Sequence, residues 1–450
     1  ELPSVRIFRA CCMNSPSATT SRPPARREDA VGIIRRLREA GYTAYLAGGC
    51  VRDELLGLIP KDYDVATDAP PDRVRQLFPR SQAVGAAFGV ILVHSGQSMI
   101  EVATFRAESG YSDGRHPDTV VFTDAAHDAR RRDFTINGLF LDPIENRLID
   151  FVGGQDDLNA RRLRAIGNPH DRFAEDYLRM LRAVRFAARF NLTIEPTTGQ
   201  AILRHAPLLS SISPERVCEE LRLMLTPPTR IAAWQMLREF QLLQVITRFA
   251  RRDSPPHDPP AAGDGAVFPH VAPEISISFP LALAAVACDV LRAEAGAVPL
   301  NQVFSRPALG HCVRGLRKAL RLSNDETEAL RGILDVAPLL DPAGEPRTAL
   351  LKRFLARPTA ADARRLLEAL GRVDPADQRI PWLQRMLTAL QLEDVAPPPL
   401  ITGDDLIALG LSPGPQFRHL LEAVYDEQLE GRLADKGAAL EFARRLASAR

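Results

Sequence analysis

The segment YLAGGCVRDELLGLIPKDYDVATD, residues 45–68, restricts the fold more than any other part of the chain. An apolar run leads into the Gly48-Gly49 pair, a short helix-like stretch follows, and a second β-like run carries Asp62 and Asp64. The order predicts strand, turn, helix and strand. Side chains two residues apart in a strand lie on the same face of a sheet. The two aspartates are therefore predicted to project together.

The chemistry of this segment indicates transfer of a phosphorus-containing group. Two neighbouring carboxylates repel each other unless a cation lies between them, and oxygen ligands suit a hard divalent cation. A Gly-Gly turn before a helix lets backbone N–H groups approach a phosphate. Each feature alone is typical of a solvated strand edge or an ordinary turn. Together they favour phosphoryl or nucleotidyl transfer.

Composition places the chain among ordinary globular proteins. It has 450 residues, of which 45% are hydrophobic and 25% charged, which predicts two to four domains. Its net charge is only +1, so nucleic-acid binding would depend on local basic patches. Because no apolar run approaches the length of a bilayer span, no membrane partner is expected.

Cysteine usage favours a cytoplasmic protein. The six cysteines show neither a CxxC pair nor a disulfide-like spacing, which argues for a reducing compartment and against a structural zinc site. They are Cys11, Cys12, Cys50, Cys218, Cys288 and Cys312.

The periodicity changes along the chain and predicts an α+β fold. Residues 1–26 are polar and are predicted to be disordered, with Met13 as a candidate start. A helix is predicted over 27–40, followed by β-like runs that alternate with one or two helices, which indicates a small mixed sheet. After residue 156 the spacing is helical, which predicts an all-α remainder. The β-like runs are AYLAG, DYDVA, GVILVH, MIEVATF, TVVF, GLFLD and RLIDF.

A third carboxylate, Glu101, lies in the run MIEVATFR. The alternation places Ile100 and Val102 on the opposite face of that strand. Taken alone, such a residue is typical of an edge strand; beside the aspartate pair it strengthens the metal hypothesis.

The segment RRRDFTINGLFL carries a cluster of polar side chains immediately before an apolar strand. Arginine forks such as those of Arg131 and Arg132 suit triphosphate oxygens, and Asp133 and Asn137 suit ribose hydroxyls. An ion-paired loop is the alternative interpretation.

The segment Glu175–Phe190, EDYLRMLRAVRFAARF, is predicted to be one helix with Asp176 and Arg179 on the same face. One interpretation is a structural ion pair. The other is recognition of a base, since cytosine and adenine both offer an amino donor beside a ring-nitrogen acceptor. An aspartate and an arginine would pair with that edge, whereas uracil and guanine would leave both groups unpaired. Arg182, Arg185 and Arg189 continue a basic stripe suited to phosphates or to acidic neighbours.

In this order the motifs resemble the class II tRNA nucleotidyltransferases and bacterial poly(A) polymerases, the family of the CCA-adding enzymes. The resemblance is dense over residues 33–192. It rests on GGCVRD, DYDVAT, EVATFR, RRDFTING, DFVGGQDDL and EDYLRMLRAVRFAARF, with a similar tail segment, ITGDDLIALGLSPGPQFRHLLEAVYDEQLEG.

The resemblance implies a catalytic head followed by helical neck, body and tail regions. The neck would carry the nucleotide-template helix and an RNA-binding region, and the body would contain a Pro-rich loop over 251–274. The implied boundaries are 27–156, 157–230, 231–392 and 393–450.

The resemblance also implies residue roles and substrates. Asp62 and Asp64 would ligate two Mg²⁺ ions, and Glu101 would help to deprotonate the 3′-hydroxyl of the RNA. The implied substrates are the tRNA 3′ end, CTP and ATP. The implied nucleotide-binding residues are Gly48, Gly49, Arg52, Arg132, Asp133, Asn137, Asp176, Arg179 and Arg182.

Within the family, the sequence favours an enzyme that adds C, C and A. The segment ESGYSDGRHPDTVVF resembles the flexible loop of CCA-adding enzymes, with Asp113, Gly114 and Arg115 as its marked residues. Poly(A) polymerases carry two basic residues where this chain has Ala86 and Ala87. An A-adding enzyme and a poly(A) polymerase remain alternatives, and the oligomeric state is open.

Two other classes of protein are alternatives to this family. HD dipeptides at 127–128, 170–171 and 257–258 raise the possibility of a metal phosphohydrolase, but such a site needs a further histidine and aspartate. A non-catalytic RNA-binding module is disfavoured because Asp62, Asp64 and Glu101 are all present.

Overall fold

The computed structural model describes residues 26–85, 89–110, 118–247, 266–295, 304, 306–340, 344–375, 378–390 and 394–448. The chain divides into two compact units. We name Glu1–Ala160 with Arg164–Gly167 the head unit, and Arg161–Leu163 with Asn168–Arg450 the helical unit. The predicted loop residues Asp113 to Arg115 and residues 1–25 lie outside the described residues.

The head unit is built on a seven-stranded mixed sheet with the order β3-β4-β5-β2-β1-β8-β9, and β6 and β7 form a separate hairpin. Within the large sheet β2 and β5 pair in parallel, whereas the other neighbours are antiparallel. The strands are β1 (Ala44–Ala47), β2 (Asp64–Thr67), β3 (Ser81–Gly85), β4 (Val90–Ser95), β5 (Ser98–Thr104), β6 (Arg106–Ser109), β7 (Thr119–Phe122), β8 (Leu139–Asp142) and β9 (Arg147–Asp150).

All seven predicted β-like runs of the head unit form strands. The strands β3 and β6 were not predicted, because SQAVG and RAES lack an apolar alternation. The confirmed strands alternate as expected; in β5, for example, Ile100 and Val102 are fully buried while Glu101 is exposed.

The head unit contains more helix than the sequence predicted. The first helix buries Val31, Ile34 and Leu37, the positions whose spacing predicted it. Between β1 and β9, however, the described residues form three α-helices instead of one or two. The extra helix is a seven-residue polar segment capped by Asp124, whose side chain accepts a bond from the His127 N–H. The head-unit helices are Arg27–Glu39, Gly49–Leu55, Pro71–Leu77, Ala125–Arg131 and Gly154–Asn159.

The described residues of the helical unit confirm the predicted change to α-structure, with one exception. A parallel ladder of two residues per strand joins β10 (Arg162–Leu163) to β11 (Thr193–Ile194). The helices are Pro169–Glu175, Leu178–Phe190, Pro196–His205, Pro214–Leu225, Arg230–Glu239, Leu242–Thr247, Phe279–Ala295, Arg306–Leu320, Asn324–Leu334, Thr348–Leu355, Ala360–Val373, Arg379–Leu390, Gly403–Ala408, Pro415–Leu429 and Lys436–Ser448.

The prediction of one continuous helix over Glu175–Phe190 is wrong. One helix ends at Glu175, Asp176 is extended with φ −157° and ψ 104°, and a second helix begins at Leu178. The Asp176 carboxylate accepts a bond from the Leu178 N–H at 3.0 Å. Such a side-chain bond to the backbone competes with helical hydrogen bonding.

The described end of the Pro-rich segment is packed rather than free. Val267 and Phe268 are fully buried, and Phe268 stacks on Trp234 with 5.8 Å between ring centroids. Both of their N–H groups donate to the buried carboxylate of Asp289. Residues 251–265 of the predicted loop lie outside the described residues.

No described helix has the length and apolar character required to cross a bilayer. The cysteines at 50, 218, 288 and 312 are buried and form no disulfide bond among the described residues. The division of the helical unit into neck, body and tail stays a prediction.

Candidate active site

The register of the head sheet brings Asp64 and Glu101 together. The parallel pairing of β2 and β5 places their Cα atoms opposite each other, and neighbouring strands lie about 4.8 Å apart. The next pair in register, Val65 and Val102, is fully buried. Asp64 and Glu101 are both exposed, so the two carboxylates face solvent from the same side of the sheet.

Asp62 lies just before β2 rather than inside it. The predicted alternation still holds, because Tyr63 is buried while Asp62 and Asp64 are exposed. The Tyr63 hydroxyl donates to Glu54 Oε1 at 3.0 Å, which fixes the backbone between the two aspartates.

The electrostatics of the site favour a cation. Desolvation of the carboxyl group, followed by the charge of Glu101, raises the pKa of Asp64 to about 6. The charge of Asp62 acts in the same direction and Arg132 opposes it. A divalent cation bound beside Asp64 would lower its pKa again. Asp64 is exposed, so a cation can reach it.

Asp62 and Asp64 could hold a divalent cation together with oxygens of a bound ligand. Among the described residues, no group of three or more His, Cys, Asp and Glu side chains is gathered tightly enough to hold a metal ion by itself. Mg²⁺ is commonly bound by one or two carboxylates together with substrate phosphates. Two exposed aspartates satisfy that requirement.

The turn at Gly48 needs glycine for two reasons. Its φ of 71° and ψ of −120° lie in a region that other residues avoid. A Cβ atom there would also lie 2.5 Å from Arg132 Nη1. The Gly48 N–H already donates to the Leu139 carbonyl at 2.9 Å. The guanidinium group of Arg132 therefore lies beside the turn that the sequence predicted to bind phosphate.

Three of the predicted nucleotide-binding residues are joined by hydrogen bonds. The buried Arg52 donates from Nη1 to Asn137 Oδ1 at 2.5 Å. Asn137 Nδ2 donates to Asp133 Oδ1 at 2.9 Å. Arg52 also donates from Nε and Nη2 to Asp53 Oδ1, at 2.8 and 2.6 Å. Asp53 was missed in the sequence, although it follows Arg52 in the motif GGCVRD.

Arg132 completes the head-unit set. Its Nη1 donates to the Asn137 carbonyl at 3.1 Å, beside the Gly48 turn. Its Nε and Nη2 donate to Asp128 Oδ2 at 3.2 and 2.9 Å. Asp128 belongs to the first HD dipeptide, and its contacts with arginines are those of an ion pair rather than a metal ligand.

The second HD dipeptide makes a contact of a different kind. His170 Nδ1 lies 3.2 Å from His205 Nε2, and the Tyr177 ring lies 5.8 Å from that of His205. The third HD dipeptide, at 257–258, lies outside the described residues.

Asp176 of the helical unit is held by a residue distant in sequence. Its Oδ2 accepts from Arg216 Nη2 at 2.7 Å. Arg216 was missed, since nothing in its local sequence links it to position 176.

Arg179 is held within its own segment. Its Nη1 donates to Glu175 Oε2 at 2.5 Å and to the Arg172 carbonyl at 2.9 Å. The ion pair between Asp176 and Arg179 that one interpretation of the sequence predicted is not found among the described contacts, because the helix breaks between the two residues.

The basic stripe faces an acidic neighbour, as one of its two interpretations proposed. Arg185 Nε donates to Glu220 Oε2 at 2.6 Å, and Arg182 Nη1 lies 3.9 Å from Glu220 Oε1. Both guanidinium groups also lie over the Phe186 ring.

Two family models match parts of the chain. Residues 44–164 match the family model described as the poly A polymerase head domain. Residues 191–251 match the model described as the probable RNA and SrmB-binding site of polymerase A. These two segments are therefore similar to the head and RNA-binding regions of poly(A) polymerases. The head-unit site lies inside the first match, whereas Asp176 and Arg179 fall between the two.

The curated relatives include both poly(A) polymerases and CCA-adding enzymes. Poly(A) polymerase I of Salmonella typhi is 44% identical over 240 residues, which cover 49% of this chain and 51% of that enzyme. The CCA-adding enzyme of Lacticaseibacillus paracasei is 42% identical over 226 residues, which cover 50% of this chain and 56% of that enzyme. The chain thus matches about half the length of these relatives.

The fold likeness is more extensive. The Bacillus stearothermophilus CCA-adding enzyme, solved in complex with CTP, is similar over 94% of this chain and 98% of that one, with 27% identity and a TM-score of 0.68. The predicted resemblance and the α+β fold class are confirmed.

Proposed function

We propose that this chain is a template-independent RNA nucleotidyltransferase that adds C, C and A to the 3′ end of tRNA from CTP and ATP. The observation that carries the proposal is the likeness, over 94% of the chain, to a CCA-adding enzyme solved with CTP. The carboxylate set of the head unit supports the same chemistry, because Asp62, Asp64 and Glu101 lie where the two central strands meet.

Asp62 and Asp64 would hold two Mg²⁺ ions together with substrate phosphates. When bound, such ions lower the pKa of an RNA 3′-hydroxyl and stabilise the charge that develops on departing pyrophosphate. Glu101 lies opposite Asp64 in the register and would accept the proton of the hydroxyl.

The head unit would bind the sugar and triphosphate. The Gly48-Gly49 turn, with Arg52 and Arg132, would supply donors for phosphate oxygens. Asp133 and Asn137 would bind ribose hydroxyls, and the bond from Arg52 to Asn137 fixes both groups before a nucleotide arrives. Such preorganisation reduces the entropy lost on binding.

Asp176 and Arg179 would read the base, with Arg182 on the same helix as Arg179. The Asp176 carboxylate has lone pairs beyond its two observed bonds, and Arg179 has donors other than Nη1. One would accept from the amino group of cytosine or adenine, and the other would donate to the ring nitrogen.

Poly(A) polymerase is the second candidate. It is favoured by the 44% identity to poly(A) polymerase I over the half of the chain that contains the head-unit site. That half carries the shared chemistry, so the identity alone does not separate the two products.

Nucleotide incorporation on three tRNA primers tests the proposal. The primers lack CCA, end in C or end in CC, and each receives labelled CTP, ATP or both with Mg²⁺. Stepwise addition of C, C and A followed by arrest is expected. Addition of A to the CC-ended primer alone would indicate an A-adding enzyme, and long A tails on any RNA would indicate a poly(A) polymerase. A lack of incorporation would overturn the whole proposal.

A further inference from the structure

The head unit contains a continuous set of ion pairs, of which the proposed mechanism uses only Arg132. Its five charged side chains are only 2% to 18% exposed. We call it the Asp128 network, and its members are Arg106, Glu108, Asp128, Arg131 and Arg132.

The contacts run from the phosphate site to the hairpin formed by β6 and β7. Asp128 Oδ2 accepts from Arg132, and Asp128 Oδ1 accepts from Arg131 Nε at 2.8 Å. Arg131 Nη1 then donates to Glu108 Oε1 at 3.1 Å, and Arg106 Nε donates to the same oxygen at 2.6 Å. The Arg106 N–H also donates to Asp128 Oδ1 at 3.3 Å, which joins β6 directly to the carboxylate.

Asp128 fixes one edge of the Arg132 guanidinium and leaves the other edge facing the turn. The fixed edge consists of Nε and Nη2. The remaining nitrogen, Nη1, would lie 2.5 Å from a Cβ atom at Gly48. Burial raises the pKa of Asp128, but the charges and hydrogen bonds of Arg132 and Arg131 outweigh it and lower that pKa. The carboxylate is therefore ionised at neutral pH and pairs with both guanidinium groups.

We propose that Asp128 and Glu108 are positioning residues, which hold the Arg132 guanidinium against the Gly48-Gly49 turn and anchor it to β6. The inference rests on the proposed function, because it assigns Arg132 to the triphosphate of the bound nucleotide. Neither carboxylate contacts the nucleotide; both act through the arginines.

A positioning role and a purely electrostatic role predict opposite signs. If Asp128 only reduced the positive potential around Arg132, its neutralisation would strengthen the binding of a triphosphate. If Asp128 orients Arg132, neutralisation frees the guanidinium to rotate and weakens the binding, since a misplaced donor no longer matches the phosphate oxygens.

Isothermal titration calorimetry of the full chain with CTP and Mg²⁺, without RNA, distinguishes the positioning role of Asp128 from a purely electrostatic role. Asp128→Asn is expected to weaken CTP binding about tenfold, the size of one charge-assisted hydrogen bond. Glu108→Gln, one arginine further away, is expected to weaken it roughly threefold. Asp142→Asn is the matched control, because Asp142 is equally buried and pairs with Arg38 at 2.6 Å in the same unit. It should change the affinity less than twofold.

A second readout distinguishes positioning from general loss of structure. With a primer present, Asp128→Asn should raise the KM for CTP more than it lowers kcat, and Asp128→Glu should restore part of the affinity. Unchanged or tighter CTP binding in Asp128→Asn would overturn the inference, and Glu108→Gln decides the matter in the same way if the first variant does not fold. If the wild-type chain binds no CTP, the proposed function fails rather than the positioning role.

Discussion

The two units assemble their candidate site residues in different ways. In the head unit, Asp64 and Glu101 meet through the register of two strands, and Arg52 and Asn137 are hydrogen-bonded to each other. In the helical unit, Asp176 and Arg179 are close in sequence, yet each binds a different partner and the helix breaks between them. Strand alternation is a local property and places side chains reliably. The face of a helix is predictable only while the helix continues.

The comparison predicts that the largest effect lies in the head unit. Asp64→Ala should lower nucleotide incorporation about a thousandfold or more, since a catalytic metal ion contributes several kcal/mol and each tenfold is about 1.4 kcal/mol. Primer extension measures this loss. Because Asp64 is exposed, its removal should leave the thermal unfolding midpoint nearly unchanged.

Asp72→Ala provides the control for that experiment. Asp72 is also an exposed head-unit aspartate, in the helix Pro71–Leu77, and its side chain is 88% exposed. It should retain wild-type incorporation. Full activity in Asp64→Ala would remove the metal assignment altogether.

The second prediction concerns the choice of base. Asp176→Ala and Arg179→Ala should reduce the preference for CTP and ATP over UTP and GTP by roughly a hundredfold, because each variant removes one hydrogen bond that discriminates between base edges. Competition between labelled nucleotides measures the preference. In contrast to Asp64→Ala, these variants should still incorporate nucleotide. A loss of all incorporation with unchanged preference would assign the pair to chemistry rather than to recognition.

The sequence predicted the candidate site of the head unit better than that of the helical unit. The strand alternation of DYDVAT and MIEVATF was sufficient to place Asp62, Asp64 and Glu101 on an exposed face. The supporting residues Asp53, Asp128 and Arg216 were not predicted, because their roles depend on contacts and not on a local pattern. The helix break at Asp176 was missed for a related reason, because EDYLRMLRAVRFAARF has a helical periodicity throughout. The Asp176 carboxylate accepts one bond from the Leu178 N–H and another from the distant Arg216, and neither bond is visible in that periodicity.

A third and smaller effect is expected at that distant arginine. Arg216→Ala should relax the base preference about tenfold, since it releases one oxygen of Asp176 without removing the carboxylate. The same competition assay measures it. Arg216→Lys should restore part of the preference, because a lysine supplies one donor but not a planar fork. If Arg216→Ala matched the wild type, Asp176 would be positioned by its bond to the Leu178 N–H alone.

The smallest effect concerns pH and distinguishes the surroundings of the two sites. In the head unit, desolvation and the charge of Glu101 raise the pKa of Asp64 to about 6. Beside Asp176, in contrast, the Tyr177 ring contacts His205, which also pairs with His170. Burial, followed by the charges of His170 and Arg204, lowers the pKa of His205.

Because the folded chain resists a proton that the unfolded chain binds at about pH 6.5, the stability of the helical unit is complete above that pH and decreases as the pH falls through the lowered pKa of His205. His205→Gln removes the titration and keeps a hydrogen-bonding side chain. Between pH 7 and 5 the wild-type unfolding midpoint should fall further than that of the variant. The difference should be at most roughly 2–4 °C, because one hydrogen bond of about 1 kcal/mol is involved. Equal slopes in the two proteins would show that the protonation of His205 is not linked to folding.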